Sequence, residues 1–137
     1  MGIAEKIEID AKIENLDQVL GFVDTFLEKC DCPMKVQMQL DIAVEEIFVN
    51  IAHYAYDSEI GQAEIRIEKE ESGQIKVTFI DSGKPFDPLQ KEDPDVTLSV
   101  DKRPIGGLGI FMVKKSMDDM QYVRSDGCNI LMIWKKL

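Results

Sequence analysis

The segment from Pro33 to Tyr56 limits what this chain can fold into more than any other stretch. At about 100° per residue, Val36, Leu40, Ala43, Val44, Ile47, Phe48, Ile51 and Ala55 fall on one broad apolar arc, and Ile42 and Val49 form a second patch. That pattern predicts a long amphipathic helix. Gln39, Glu46, Asn50 and His53 lie in the narrow gap between the two patches. A spacing of four stacks side chains on one helical face, so the Glu46 carboxylate and the Asn50 amide can converge on one ligand. Polar groups with apolar neighbours on both sides need partners or carry a large desolvation cost, which makes this gap the place to expect chemistry. A Glu and an Asn four apart are nevertheless structural on most helices, and the pair needs support from elsewhere in the chain.

A chain of 137 residues fits one domain, 1–137, with room for a real core. Hydrophobic residues at 45% and charged ones at 31% describe a globular chain, and no apolar run approaches a membrane span. The N-terminus lacks a basic stretch followed by an apolar one, so the expected location is the cytoplasm. The net charge of -10 argues against a nucleic-acid surface, which needs clustered Lys and Arg. It leaves room for a nucleotide held by backbone N–H groups and a metal ion, or for a basic protein partner. Three cysteines are an odd number for a disulfide framework, and Cys30 and Cys32 with remote Cys128 and a single histidine make no zinc site, so they read as small hydrophobes.

Ile7, Ile9 and Ala11 alternate with Lys6, Glu8 and Asp10, the pattern of a strand with one wet face. Asn15 to Gln18 reads as a capping box for a structural helix ending near Lys29, and Pro33 suits the entry of the long helix. Alternation over 63–68 and 75–79, joined through Glu71 to Gly73, predicts an antiparallel hairpin. A last hairpin runs from Met120 to Lys135 through Ser125-Asp-Gly127. The first hairpin ends at Asp81-Ser-Gly83, where a short carboxylate can accept from a ligand amine and a glycine lets the ligand approach, although an ordinary Asx turn has the same signature. Residues 84–105 show no periodicity and four prolines, which suits a lid. They lead into Gly106-Gly-Leu-Gly109 and a short helix, and glycines opening a helix offer unpaired N–H groups to phosphates. No Rossmann or P-loop context surrounds them, and no nucleophile elbow occurs.

In order, Glu46-x-x-x-Asn50, Asp81-x-Gly83 with Phe86-Asp87-Pro88, and Gly106-Gly-Leu-Gly109 resemble the N, G1 and G2 boxes of the histidine-kinase-like ATP-binding fold shared by gyrase, histidine kinases and mismatch-repair ATPases. The likeness is greatest to bacterial anti-sigma-factor serine/threonine kinases and covers nearly the whole chain. It implies an α/β two-layer sandwich, a mixed and mainly antiparallel sheet with helices on one face, binding ATP and Mg²⁺ beneath a lid at about 84–105. By that resemblance Asn50 would coordinate Mg²⁺ and Asp81 would receive the adenine amino group, with Gly83 allowing close approach. Gly106, Gly107, Leu108 and Gly109 would cradle phosphates, and Glu46 would be the catalytic base. Arg103 would contact a phosphate or a partner.

Two departures stand out. Where many of these kinases carry His four residues after the box Asn, this chain has Tyr54, with His53 one place earlier, read as a satisfied histidine at the helix end. Where many have Thr near the adenine, it has Cys128-Asn129, and Asn129 would substitute as the hydrogen-bonding side chain. The resemblance implies a serine on an anti-sigma-antagonist (STAS-type) partner as substrate, a sigma factor as a second partner, and a homodimer for which apolar residues of the first strand and helix would serve. The alternatives are a non-catalytic, ATP-gated binding module and, more remotely, the catalytic half of a histidine kinase whose lone histidine lies inside the nucleotide site.

Overall fold

The computed structural model describes residues 2–56, 59–90 and 108–137. Strands β1 (Ile3–Asp10), β2 (Gln62–Lys69), β3 (Gln74–Asp81), β4 (Asp119–Ser125) and β5 (Cys128–Lys136) form one sheet, and helices α1 (Leu16–Lys29), α2 (Met34–Asn50) and α3 (Leu108–Ser116) complete the fold. The spatial order is β1-β2-β3-β5-β4, and every pairing is antiparallel. Against the expectation of a mixed sheet, no parallel pair occurs among the described residues. From β3 the chain passes through α3 to the sheet edge, and the hairpin back from β4 sets β5 antiparallel beside β3.

Period-two burial creates the two layers. Ile65, Ile67, Ile75, Val77, Phe79, Leu131 and Ile133 point to one side, where they meet Val23, Phe26 and Leu27 of α1 and Leu40, Val44, Ile47 and Phe48 of α2 in one apolar cluster. Ile65 lies opposite Phe79 and Val77 opposite Ile133, so large apolar groups are matched across the strands. Ile130, Met132 and Trp134 share the other face and are only half-buried. The hairpins close as their sequences ask. Asp126 and Gly127 both have positive φ, 52° and 77°, which fits the right-handed twist of a two-residue turn between β4 and β5. Gly73, at φ 92°, turns β2 into β3.

Three local expectations fail for identifiable reasons. Asn15 makes no side-chain cap; its amide donates instead to the Asp10 carbonyl at 2.9 Å, tying the start of α1 to the end of β1. Anchoring to the preceding strand takes the place of a cap that water can supply. The helix from Pro33 does not stay α-helical to Tyr56: it passes at Asn50 into a π-helical turn, Ile51–Ala55. Finally, the second patch on α2 is no buried wall, because Ile42 is 60% exposed and Val49 half-buried. The polar gap therefore has the core on one side and an open surface on the other.

Candidate nucleotide pocket

A cleft, partly open to solvent, lies between the C-terminal half of α2 and the sheet. Its walls are apolar, with Ile47 and Ile51 from α2 and the turn beyond it, Phe79 and Leu131 from the sheet, and Ile110 from α3. Asp81, Asn50 and Asn129 are the polar residues with side-chain amides or carboxylates on its surface. Apolar walls with a few placed polar groups are the usual make-up of a small-molecule site.

Asp81 is held before any ligand arrives. It is buried, and its Oδ1 accepts from the Gly83 N–H and from Asn129 Nδ2, each at 2.9 Å. Asp81 and Asn129 are register partners on β3 and β5, which explains why residues 48 apart meet. Both donors converge on one oxygen, and Oδ2 is left to accept from a ligand. Asn129 is committed in turn. Its Nδ2 also donates to the Lys84 carbonyl at 2.9 Å, and its Oδ1 accepts from the Phe86 N–H at 3.4 Å and from the Tyr122 hydroxyl. This side chain braces Asp81 and the start of the loop, rather than presenting an idle amide to the cleft.

The π-helical turn supports the same corner. Wide turns of this kind recur at functional sites, and here the Ala55 carbonyl accepts from the Lys84 N–H at 2.9 Å. Gly83 passes so close that a Cβ there would stand 2.2 Å from the Ala55 oxygen. Tyr56 extends the bracing: its hydroxyl donates to the Gln62 carbonyl at 2.6 Å and accepts from the Ser82 N–H at 2.9 Å. Burial pushes the Tyr56 phenol above its ordinary value, so it stays neutral and able to do both. Arg124 Nη1 donates to the Gly83 carbonyl at 2.8 Å. Neither Tyr122, Arg124 nor Tyr56 stands out in the sequence. The period-two pattern of β4 places 122 and 124 on one face and was the available signal for two of them; nothing local marks Tyr56.

Glu46 lies one turn of α2 from Asn50 and does not line the cleft; its carboxylate borders Gly109 in the first turn of α3. A Cβ at Gly109 would come within 2.0 Å of Glu46 Oε1, which accounts for a glycine there. Leu108 opens α3. Gly106, Gly107, Arg103 and the greater part of the expected lid lie outside the described residues. Of that lid, Asp87 Oδ1 accepts from the Leu89 N–H at 2.8 Å and fixes a short 3-10 turn at Pro88–Gln90. His53 departs from expectation. It is exposed, meets Tyr54 edge-on at 5.9 Å between ring centroids, and does not line the cleft, whereas Tyr54 does. The helix periodicity that put His53 beside Asn50 ends at Asn50, and the wider π turn rotates the residues beyond it.

The residues present suit a magnesium nucleotide. The braced carboxylate on an apolar floor matches an amino-bearing base, and Asn50 offers the neutral oxygen that a hard cation accepts alongside phosphate oxygens and water. Among the described residues no group of three or more His, Cys, Asp or Glu could hold a metal alone, so a cation here would depend on the nucleotide's oxygens. All three cysteines are free. No helix among the described residues is long and apolar enough to cross a membrane.

Fold and cleft together define a two-layer α/β domain with a ligand pocket between its long helix and its sheet. Comparison with known proteins narrows this. The histidine kinase-like ATPase domain family matches residues 9–135, and the chain belongs to it. It is 30% identical over 97 residues to the serine-protein kinase RsbW of Bacillus thuringiensis (strain Al Hakam), an alignment covering 68% of this chain and 60% of that protein. Proteins of the same name from Bacillus cereus (strain 03BB102) and Bacillus anthracis (strain CDC 684) match with the same identity and coverage. The chain thus spans about 60% of the length of the curated relatives it matches. The RsbU and RsbW domains of Rv1364c from Mycobacterium tuberculosis share the fold, with a TM-score of 0.73 and 14% identity, over 98% of this chain and 32% of that one.

Proposed function

We propose that this chain is a cytoplasmic, ATP- and Mg²⁺-dependent serine/threonine protein kinase of the partner-switching kind. Its substrate is a serine on a STAS-type antagonist protein, and a sigma factor is its second partner. The observation that carries the reading is the disposition of Asp81, Asn50 and Glu46: a braced carboxylate on the cleft floor, an amide oxygen on the wall, and a second carboxylate one helical turn further on beside the start of α3. Similarity to the RsbW kinases supports serine as the acceptor.

Asp81 receives the adenine amino group through Oδ2 and rejects a base with a carbonyl in that place, because two oxygens would then face each other unpaired. Asn50 would hold Mg²⁺ through its side-chain oxygen, and the ion would supply charge neutralisation on the phosphates. The first turn of α3, with Gly109 in it, would offer its N–H groups to them. Glu46 takes the proton of the acceptor hydroxyl as the oxygen bonds to the γ-phosphorus and the bond to the departing ADP oxygen breaks.

Incubation with labelled ATP, Mg²⁺ and an unphosphorylated STAS-type antagonist tests this. Phosphoserine should form with the native chain and disappear with Glu46→Ala, while ATP still binds the variant. No phosphoserine with the native chain ends the kinase reading. Nucleotide-dependent complex formation that Glu46→Ala leaves intact, without any transfer, would point to a binding module instead.

A further inference from the structure

The outer edge of α2 carries an apolar strip that the core does not use. Met34, Met38 and Ile42, spaced by four, are 71%, 57% and 60% exposed. Side chains at that spacing lie one above another on a helix. Contiguous exposed apolar surface of this kind marks an interaction site more often than scattered single residues do, and flexible methionines suit a surface that must adapt to a partner.

The strip's position says what it serves. Asp41 faces Asp24 of α1, and Glu46 faces Gly109 of α3. On the helical wheel the edge bearing Met38 and Ile42 falls between those two directions, on the outward side of α2 away from its buried Leu40, Val44 and Phe48. It leads directly to the candidate base: Ile42 is one turn before Glu46, and Met38 is about 12 Å away along the axis. Its surroundings are acidic. On α1, on α2 and in the stretches beside them, Glu14, Asp17, Glu28, Asp31 and Glu45 are exposed, against Lys29 and Lys35.

Resting on the kinase reading above, we propose that the Met34–Met38–Ile42 strip is the docking surface for the protein substrate. It receives an apolar helix flanked by Lys or Arg on the molecule that bears the acceptor serine, and so sets the hydroxyl beside Glu46. Apolar anchors give the complex its lifetime, and the acidic rim speeds encounter with a basic partner. Docking one or two turns from the reacting group also explains how a kinase with a small cleft can choose one protein serine among many.

The test uses the full chain with Met38→Gln and Ile42→Gln together, and separately Glu45→Lys, which reverses one rim charge. Phosphoryl transfer to the unphosphorylated STAS-type antagonist is followed at varied antagonist concentration, with ATP titration and thermal melting as controls. The double variant should raise KM for the antagonist about tenfold or more, with kcat at saturation, ATP affinity and melting temperature unchanged. Glu45→Lys should slow association and weaken its dependence on salt. Calorimetric binding of the antagonist to Glu46→Ala, with and without the double substitution, reads docking in the absence of turnover and should show the same loss. If the native chain transfers phosphate and the double variant matches it in KM and in binding, the docking assignment is wrong and the kinase reading stands. If the native chain binds ATP but neither binds nor phosphorylates the antagonist, both fall. A double variant that changes only a monomer–dimer equilibrium assigns the strip to a second copy of the chain and overturns the proposal.

Discussion

Asn129, on the surface of the cleft, shows how much of a site can reside in the bracing that one side chain gives its neighbours. Asn129→Ala would remove the donor that saturates Asp81 Oδ1, the acceptor for Tyr122, and the tie to Lys84. Leaving several buried polar groups unpaired costs about 1–3 kcal/mol each when no water replaces the partner, so chemical denaturation should show a loss of at least that size, with weaker ATP binding by calorimetry. Asp81→Asn is a different experiment. The fold should survive, because Oδ1 persists, and selectivity for adenine over guanine nucleotides should vanish. The two glycines also separate cleanly. At Gly83 a new methyl meets the Ala55 backbone, which cannot yield, so Gly83→Ala should lower the melting temperature. At Gly109 it meets the free end of the Glu46 side chain, so Gly109→Ala should fold normally and impair phosphoryl transfer by displacing that carboxylate. Asp81 and Asn50 were legible in the sequence because spacing and a strand end placed them. The second role of Asn129 was not, since strand register decides it, and register is set by turns and by the inward rows of many residues at once.

The seam between α1 and α2 holds the chain's clearest pH response. Asp24 and Asp41 face one another across it, and the Oδ1 atom of each is buried with no hydrogen-bond partner among the described residues. Burial and the Asp24 carboxylate hold Asp41 up at about 7, against an ordinary 3.8. A proton shared between them satisfies both oxygens. With the folded pKa raised, the folded chain keeps a proton that the unfolded chain gives up, so this contribution is complete below about pH 4, declines as pH rises, and is lost once pH passes about 7. Thermal melts between pH 5 and 8 should fall with pH, and Asp41→Asn should flatten that slope, since an amide can donate to Asp24 at every pH. The helices themselves were readable from their 3.6-residue apolar rhythm. Their ends and outer faces were not: the anchoring of Asn15 to Asp10, the π turn after Asn50 and the exposure of Ile42 all depend on what stands next to the helix, which periodicity does not record.

Taken together, the strands and helices assemble the pocket from pieces that lie far apart in the sequence. Asp81 closes β3, Asn129 is the second residue of β5, Ile110 lies in the first turn of α3, and Asn50 ends α2, so the lining of the cleft draws on at least four elements at once. ATP with Mg²⁺ should therefore stabilise the entire chain, by about 2.7 kcal/mol at a hundredfold excess over its Kd, visible as a rise in melting temperature that Asn50→Ala abolishes when Mg²⁺ is present. A titration without heat or thermal shift would refute the nucleotide assignment. The antiparallel sheet was legible as alternating runs, and its strand order was not, because a pattern of period two says which side a residue faces and nothing about its neighbour. One continuous helical run carries Glu46, Asn50 and the Ala55 carbonyl that holds Lys84. The amide on the cleft wall and the carboxylate beside α3 are thus mounted on a single stiff ruler. On the proposed kinase reading, sliding or rolling it to retune grip on a nucleotide base would also disturb the approach of Glu46 to the phosphates, so affinity and turnover should change together under any substitution that shifts α2.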